Sequence, residues 1–166
     1  MGQDKPLTLA GVGSRFSRDD EIGLRLVEAI AGRGSTNAVE CRLWEDADTL
    51  TLANELLELD RDVIIVDCAD MGLAGGVWRL FADEAARLRI CNDPLSTHGL
   101  GLAEALSLAR SLGCTNSIRI FGVQPFDLSP VPGLSAQMLA VFPDLLAALE
   151  NALPREAGST SRRSQG

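Results

Sequence analysis

The sequence has a single histidine, His98, and a single lysine, Lys5. One histidine excludes a zinc site built from two histidines, and no His-Glu-x-x-His motif is present. The chain also lacks the Gly-x-Ser-x-Gly motif that positions a serine nucleophile in α/β-hydrolases. These absences disfavour the common zinc-peptidase and serine-hydrolase sites.

Disulfide, membrane and export signals are also missing. The four cysteines are widely spaced and form no Cys-x-x-Cys pair: Cys41, Cys68, Cys91 and Cys114. This is typical of reduced cysteines in a cytosolic protein. No apolar run is long enough to span a bilayer, and the first residues lack the basic and apolar regions of a signal peptide. We therefore expect a cytoplasmic protein with no membrane partner.

The net charge of -8 disfavours nucleic acid as a partner, because the phosphate backbone would be repelled. A metal ion or a basic protein segment fits an acidic chain better. The length of 166 residues suits a single domain with a substantial core.

The hydrophobic pattern predicts a three-layer α/β/α fold with a mostly parallel, twisted sheet of about five strands. The predicted strands are Leu7–Val12, Ala38–Leu43, Asp62–Asp67, Val77–Phe81 and Ser117–Val123. The fourth follows the third without a helical crossover, so we expect it to be an antiparallel edge strand. The β-branched run in 63–66 predicts a central strand that is buried on both faces.

Helices are predicted between these strands. They run from Asp20 to Ala31, from Asp46 or Asp48 to Leu57, from His98 to the residue before Gly113, and from Leu134 to Leu153. Leu102, Leu106, Ala109 and Leu112 form the expected buried stripe of the third helix. Pro143 is expected to kink or restart the last helix, and no element is assigned over 83–96.

Acidic side chains follow two strands that we expect to be neighbours. Asp19 and Asp20 end the loop after the first strand, and Asp67 ends the third. His98 opens a later helix. In an open α/β sheet, ligands bind outside the carboxyl ends of the strands. The pattern therefore predicts that Asp19 or Asp20, Asp67 and His98 form a partial shell for a divalent metal.

Each of these residues also has a structural interpretation. Asp19 is expected to cap the first helix, and Asp20 to complement its dipole. Asp67 can cap a loop, and a single histidine near a helix start is more often packed or exposed than a ligand. A nucleophile pair of Cys68 or Cys91 with His98 is another possibility, although no pattern places them together.

Two other α/β sites fit less well. A dinucleotide-binding loop needs a third glycine where Phe16 stands, and the acidic pair would repel a pyrophosphate. A phosphoacceptor receiver domain needs a lysine after the last strand, where the sequence reads Val123-Gln124-Pro125.

Four stretches resemble the motifs of the hydrogenase maturation endopeptidases. GVGSRFSRDDEIG resembles their opening G-x-G-N-x-x-x-x-D-[DE]-x-x-G motif, and VIIVDCADMGLAGG resembles their second, in which an aspartate ends a strand. LSTHGLGLAEAL resembles the third, with a histidine before a helix, and IFGVQP resembles the last strand and its exit. The likeness runs in register from Leu7 to Leu153.

The resemblance implies an aspartyl-type endopeptidase. Such an enzyme removes a C-terminal extension from the precursor of a [NiFe]-hydrogenase large subunit after nickel has been inserted. It implies that Asp20, Asp67 and His98 contact this nickel, which the precursor carries and another divalent ion can replace in a crystal. The attacking group stays open between a metal-bound water and a carboxylate. The implied state is a monomer, and the alternative function is a non-catalytic metal-sensing or chaperone-like module on the same fold.

The sequence departs from the family pattern in two places. Ser14 stands where the opening motif has asparagine. After the second strand, many relatives have an acidic-Gly-Gly turn, but here the sequence reads CRLWED over 41–46. The second departure concerns a loop that the resemblance places near the substrate, so it bears on which hydrogenase is served.

The domain is expected to cover residues 1–153, with residues 154–166 as a disordered tail that has no apolar face. Deleting 154–166 should change the melting temperature by less than about 2 °C, since about 1 kcal/mol corresponds to roughly 2–4 °C at this size. Thermal melts of the full and shortened chains provide the measurement. A drop of several degrees would show that the tail docks on the domain.

Overall fold

The computed structural model describes residues 6–34, 38–85 and 97–155. Its centre is a five-stranded sheet in the order β2-β1-β3-β5-β4. The strands are β1 (Leu7–Gly13), β2 (Val39–Glu45), β3 (Val63–Cys68), β4 (Trp78–Ala82) and β5 (Ile118–Val123). The helices are α1 (Ile22–Gly32), α2 (Thr49–Glu58), α3 (Thr97–Ser111) and α4 (Ala136–Ala152), with a short 3₁₀ turn (Arg18–Glu21) before α1.

The sheet is parallel except at one edge. β1 pairs in parallel with β2 and β3, and β3 pairs in parallel with β5, whereas β4 runs antiparallel to β5. This confirms the predicted mostly parallel sheet with an antiparallel edge strand. The strand β3 lies at the centre, and its residues 63–66 are at most 1% exposed.

Helices cover both faces of the sheet, which makes two apolar cores. Ile64 and Val66 of β3 pack in the core formed with α1 and α4. Val63 and Ile65 pack in the core formed with α2 and α3. Successive side chains of a strand point to opposite faces, so a strand covered on both sides is apolar at every position.

Three details of the helices differ from, or refine, the sequence predictions. Leu112 is 61% exposed, so the buried stripe of α3 ends at Ala109, one turn earlier than expected; the helix itself ends at Ser111. Pro143 lies inside α4 without restarting it. Asp48, one of the two predicted caps, accepts a hydrogen bond of 2.7 Å from the Thr51 amide at the start of α2.

Three glycines of the opening motif let α1 approach the sheet closely. A Cβ atom at Gly23 would lie 2.3 Å from the carbonyl oxygen of Val66, and one at Gly11 would lie 2.6 Å from that of Gly23. A Cβ atom at Gly13 would lie 2.0 Å from the carbonyl oxygen of Asp20. The start of α1 therefore rests on the ends of β1 and β3, and this contact sets the position of Asp20.

Several predictions concern residues outside the described ranges. The division into a domain and a disordered tail is one of them, because residues 156–166 are not described; Pro154 and Arg155, at the start of that tail, are exposed. Within the described residues, no helix has the length and apolar character needed to cross a membrane.

Replacement of Gly23 by alanine should destabilise the protein by about 1–3 kcal/mol, because the new methyl group meets backbone on both β1 and β3. Gly32→Ala is the matched control, since a Cβ atom at the other end of the same helix meets nothing within 4 Å. The Gly32→Ala variant should be as stable as the wild type or slightly more stable. Urea unfolding of both variants is the measurement, and equal stabilities would contradict the close-packing argument.

Candidate active site

A cavity of about 250 Å³ opens at the carboxyl edge of the sheet, where the parallel strands end. Its lining comes from the exits of β1 and β2, from the 3₁₀ turn, from β3 and from the helices α2 and α3: Val12, Gly13, Ser14, Asp20, Asp46, Ala47, Leu52, Asp67, Gly101 and Leu102. Asp20 and Asp67 are both buried, with 4% and 8% of their surface exposed. The structure thus brings together two of the predicted site residues.

The environment of Asp67 disfavours its ionised form. Burial raises the pKa of the Asp67 carboxyl group well above its usual value, and the negative charge of Asp20 raises it further. A hydrogen bond from the Cys68 amide acts in the opposite direction and is the smaller effect. A raised pKa is expected when two carboxylates share a site, but here burial is the larger cause. A cation in the cavity would favour the ionised form of both groups.

His98 lies in the first turn of α3, which begins at Thr97. Gly101 and Leu102, one turn further along the same helix, line the cavity. The His98 side chain lies outside the described residues. Among the side chains that the structure does describe, no group of three or more His, Cys, Asp or Glu residues is arranged to hold a metal. The described part of the site therefore supplies two carboxylates.

Asp19 does not cap α1 as predicted, because its carboxylate binds the loop after β5. Its Oδ2 atom accepts hydrogen bonds of 2.9 Å from the amides of Phe126 and Asp127 and from the Ser135 hydroxyl. Its Oδ1 atom accepts one of 2.8 Å from the Ser135 amide. The Ser135 hydroxyl in turn accepts a bond from the Met138 amide and caps α4. Of the two adjacent aspartates, Asp19 therefore holds the structure together and Asp20 lines the cavity.

Gln124 organises the turn that follows β3, a role that sequence reasoning missed. Its side-chain carbonyl accepts hydrogen bonds from the Met71 amide at 2.6 Å and the Leu73 amide at 3.3 Å. Its amide nitrogen donates to Asp70 at 3.1 Å. This residue stands where a receiver domain would have its lysine, and it fixes residues 70–73 in the turn after β3.

Arg15 fixes the loop after β1 from the other side. Its guanidinium pairs with Glu21 at 3.2 Å, with Glu45 at 3.2 Å and with Glu28. The hydrogen bond to Glu28 is the largest cause of the raised pKa of Arg15. The neighbouring Ser14 lines the cavity, so this ion-pair network steadies one wall of the site.

A larger depression of about 540 Å³ lies at the opposite end of α1 and β2. Its two acidic residues are already paired, Glu150 with Arg33 and Glu40 with Arg42 and Arg61. It offers no buried carboxylate pair, so the smaller cavity at the carboxyl edge is the better candidate for chemistry.

A family model described as hydrogenase maturation protease matches residues 47–152, which include Asp67 and His98. The hydrogenase 2 maturation protease of Escherichia coli is 32% identical, with 91% of this chain and 97% of that protein covered. The hydrogenase expression/formation protein HupD of Bradyrhizobium diazoefficiens is also 32% identical. That match covers 76% of this chain and 66% of HupD.

Solved structures show the same fold. The hydrogenase maturating endopeptidase HybD of E. coli superposes with a TM-score of 0.74 at 29% identity, covering 92% of this chain and 99% of HybD. A [NiFe] hydrogenase maturation protease, HycI from Thermococcus kodakarensis, superposes with a TM-score of 0.68 at 19% identity, covering 90% and 93% of the two chains. The likeness to the Thermococcus protein shows a shared fold.

The raised pKa of Asp67 predicts a pH-dependent stability. The folded protein holds a proton on Asp67 at pH values where the unfolded chain has lost it. The free energy of unfolding should therefore fall as the pH rises from the ordinary aspartate pKa through the raised one. Asp67→Asn has no proton to lose at this position. Its free energy of unfolding should therefore rise relative to that of the wild type as the pH increases across that range. Urea unfolding of both metal-free proteins over a pH series is the measurement, and a constant difference would contradict the prediction.

Proposed function

Because the chain belongs to the hydrogenase maturation proteases, we propose that it trims the C-terminal extension of a nickel-loaded [NiFe]-hydrogenase large-subunit precursor. Proteases of this family are peptidases that act on hydrogenase large-subunit precursors. The observation that carries the proposal of a nickel-loaded substrate is that Asp20 and Asp67 line one cavity at the carboxyl edge of the sheet.

The proposed role of Asp20, Asp67 and His98 is to contact the nickel that the precursor brings. Carboxylate oxygens and imidazole nitrogens both bind divalent first-row metals. Two buried carboxylates with a raised pKa on one of them form an environment in which a cation is favoured. The position of His98, one turn before cavity-lining residues of α3, supports it as a third ligand. Nickel is thus part of the substrate.

This arrangement gives a physical reason for trimming after nickel insertion. Without a cation, burial and mutual repulsion disfavour two ionised carboxylates in the cavity. With nickel present, both can ionise, and an ionised carboxylate can accept a proton from a water molecule that attacks the peptide bond. Attack by a carboxylate itself is the other route. When the precursor carries no nickel, the two carboxyl groups of the cavity are less ionised, and the proton acceptor for the attacking water is missing.

A metal-sensing or chaperone-like module on this fold would bind the precursor without shortening it, and family membership favours trimming. The monomeric state and the cytoplasmic location stay predictions.

Replacing any one of the three proposed nickel contacts should slow trimming by at least about 100-fold, the usual lower range for loss of an acid–base group. The variants are Asp20→Asn, Asp67→Asn and His98→Ala, and the asparagine substitutions keep the size of the side chain while removing its charge. The assay follows the shortening of nickel-loaded precursor on a gel. Full trimming by both Asp20→Asn and His98→Ala would refute the metal-contact proposal.

Two further aspartate variants serve as controls. Asp144→Asn changes an exposed carboxylate on α4 and should trim normally. Asp19→Asn should lower the melting temperature by several degrees, because four hydrogen bonds converge on that carboxylate. Asp20→Asn should instead melt close to the wild type. If the two neighbouring variants lost stability and activity in the same proportion, the separate roles assigned to them would be wrong.

A further inference from the structure

Four large apolar side chains are exposed on the loops that follow β1 and β5. One of them, Phe126, lies against Gly75 and Gly76, and we name the other three together the loop patch. Phe16, on the loop after β1, is 67% exposed. Leu128 and Val131, on the loop after β5, are 45% and 37% exposed. Clustered apolar groups on the surface of a soluble protein mark interaction sites.

The two loops that carry the loop patch are held against each other. The amide of Arg18 donates to the carbonyl of Val131 at 2.9 Å, and the amide of Asp19 donates to the carbonyl of Asp127 at 3.1 Å. The buried Asp19 carboxylate adds bonds to the amides of Phe126 and Asp127. The apolar side chains therefore stand on a preorganised backbone, which lowers the entropic cost of binding.

The ion pairs beside the loop patch join three arginines to four carboxylates. Arg18 pairs with Asp127 at 3.3 Å, between the two loops. Arg15, next to Phe16, is engaged by three glutamates. Although the protein as a whole carries a charge of -8, the ion pairs described at this surface leave only one carboxylate in excess, and the side chains of the patch itself are apolar. Its chemistry fits an apolar partner.

The loop after β1 contributes both to the loop patch and to the cavity. Ser14 and Asp20 both line the cavity, and Phe16 lies between them on the same loop. A polypeptide that places a peptide bond beside Asp20 therefore lies next to this loop. We propose that the loop patch binds an apolar segment of the large-subunit precursor next to the bond that is cut. This inference rests on the proposed function and names the surface that recognises its substrate.

The test is a double variant, Phe16→Ser with Leu128→Ser, assayed on a precursor that the wild-type protein trims. Initial rates over a range of precursor concentrations give KM and kcat separately. KM should rise about tenfold, while kcat changes less than twofold, because the patch touches the substrate but not the reacting bond. Leu112→Ser is the matched control, since Leu112 is 61% exposed directly after α3 and away from the site. It should keep both constants.

Other results would contradict the docking surface, the proposed function or both. An unchanged KM, or a loss in kcat alone, would overturn the docking surface while leaving the proposed function intact. A wild-type protein that trims no nickel-loaded precursor would overturn the proposed function and this inference with it. If the wild type were a dimer and the double variant a monomer with unchanged KM, the patch would bind a second copy of the chain. Thermal melts should show both variants as stable as the wild type, and Phe16→Ser alone provides a milder test.

Discussion

The buried carboxylate of Asp19 is the interaction on which the carboxyl edge of the sheet depends. A charged group with 0% exposure is tolerated only when hydrogen bonds replace its hydration. Here three backbone amides and one hydroxyl, all from the loop after β5, serve that purpose. The bonds join two loops whose partners are 107 to 116 residues apart in the sequence. Because Asp19 is fixed, the next residue, Asp20, has a defined position in the cavity.

The layered fold followed from sequence because local patterns encode it. The β-branched run of β3 reflects burial on both faces, and the missing crossover before β4 reflects its antiparallel pairing. Helix ends were less predictable. Leu112 fits the apolar period of α3, but it lies just after the last helical residue, Ser111, and is exposed. Hydrophobic periodicity shows which face of a helix is buried. Where that buried face ends depends on tertiary contacts, which the periodicity does not show.

The candidate site was predictable to a similar degree. Strand ends and topology were enough to bring Asp20 and Asp67 to one edge. The strand pattern alone did not distinguish Asp19 from Asp20, and only the family resemblance pointed to Asp20, since two adjacent aspartates look alike until their distant partners are known. The same holds for Gln124, whose partners lie 51 to 54 residues earlier in the chain. Repulsion between two carboxylates that share a site raises the pKa of Asp67, but burial, which sequence reveals poorly, is the larger cause.

The size of the cavity has a consequence for inhibition. At about 250 Å³ it is smaller than the roughly 300–1,000 Å³ of pockets that enclose drug-sized molecules. A compound confined to it would have room for little more than a group that binds the two carboxylates, and such a group would fit many other acidic sites equally well. Selective inhibitors would therefore have to extend from the cavity across the neighbouring surface, and a peptide mimic suits that shape better than a compact heterocycle.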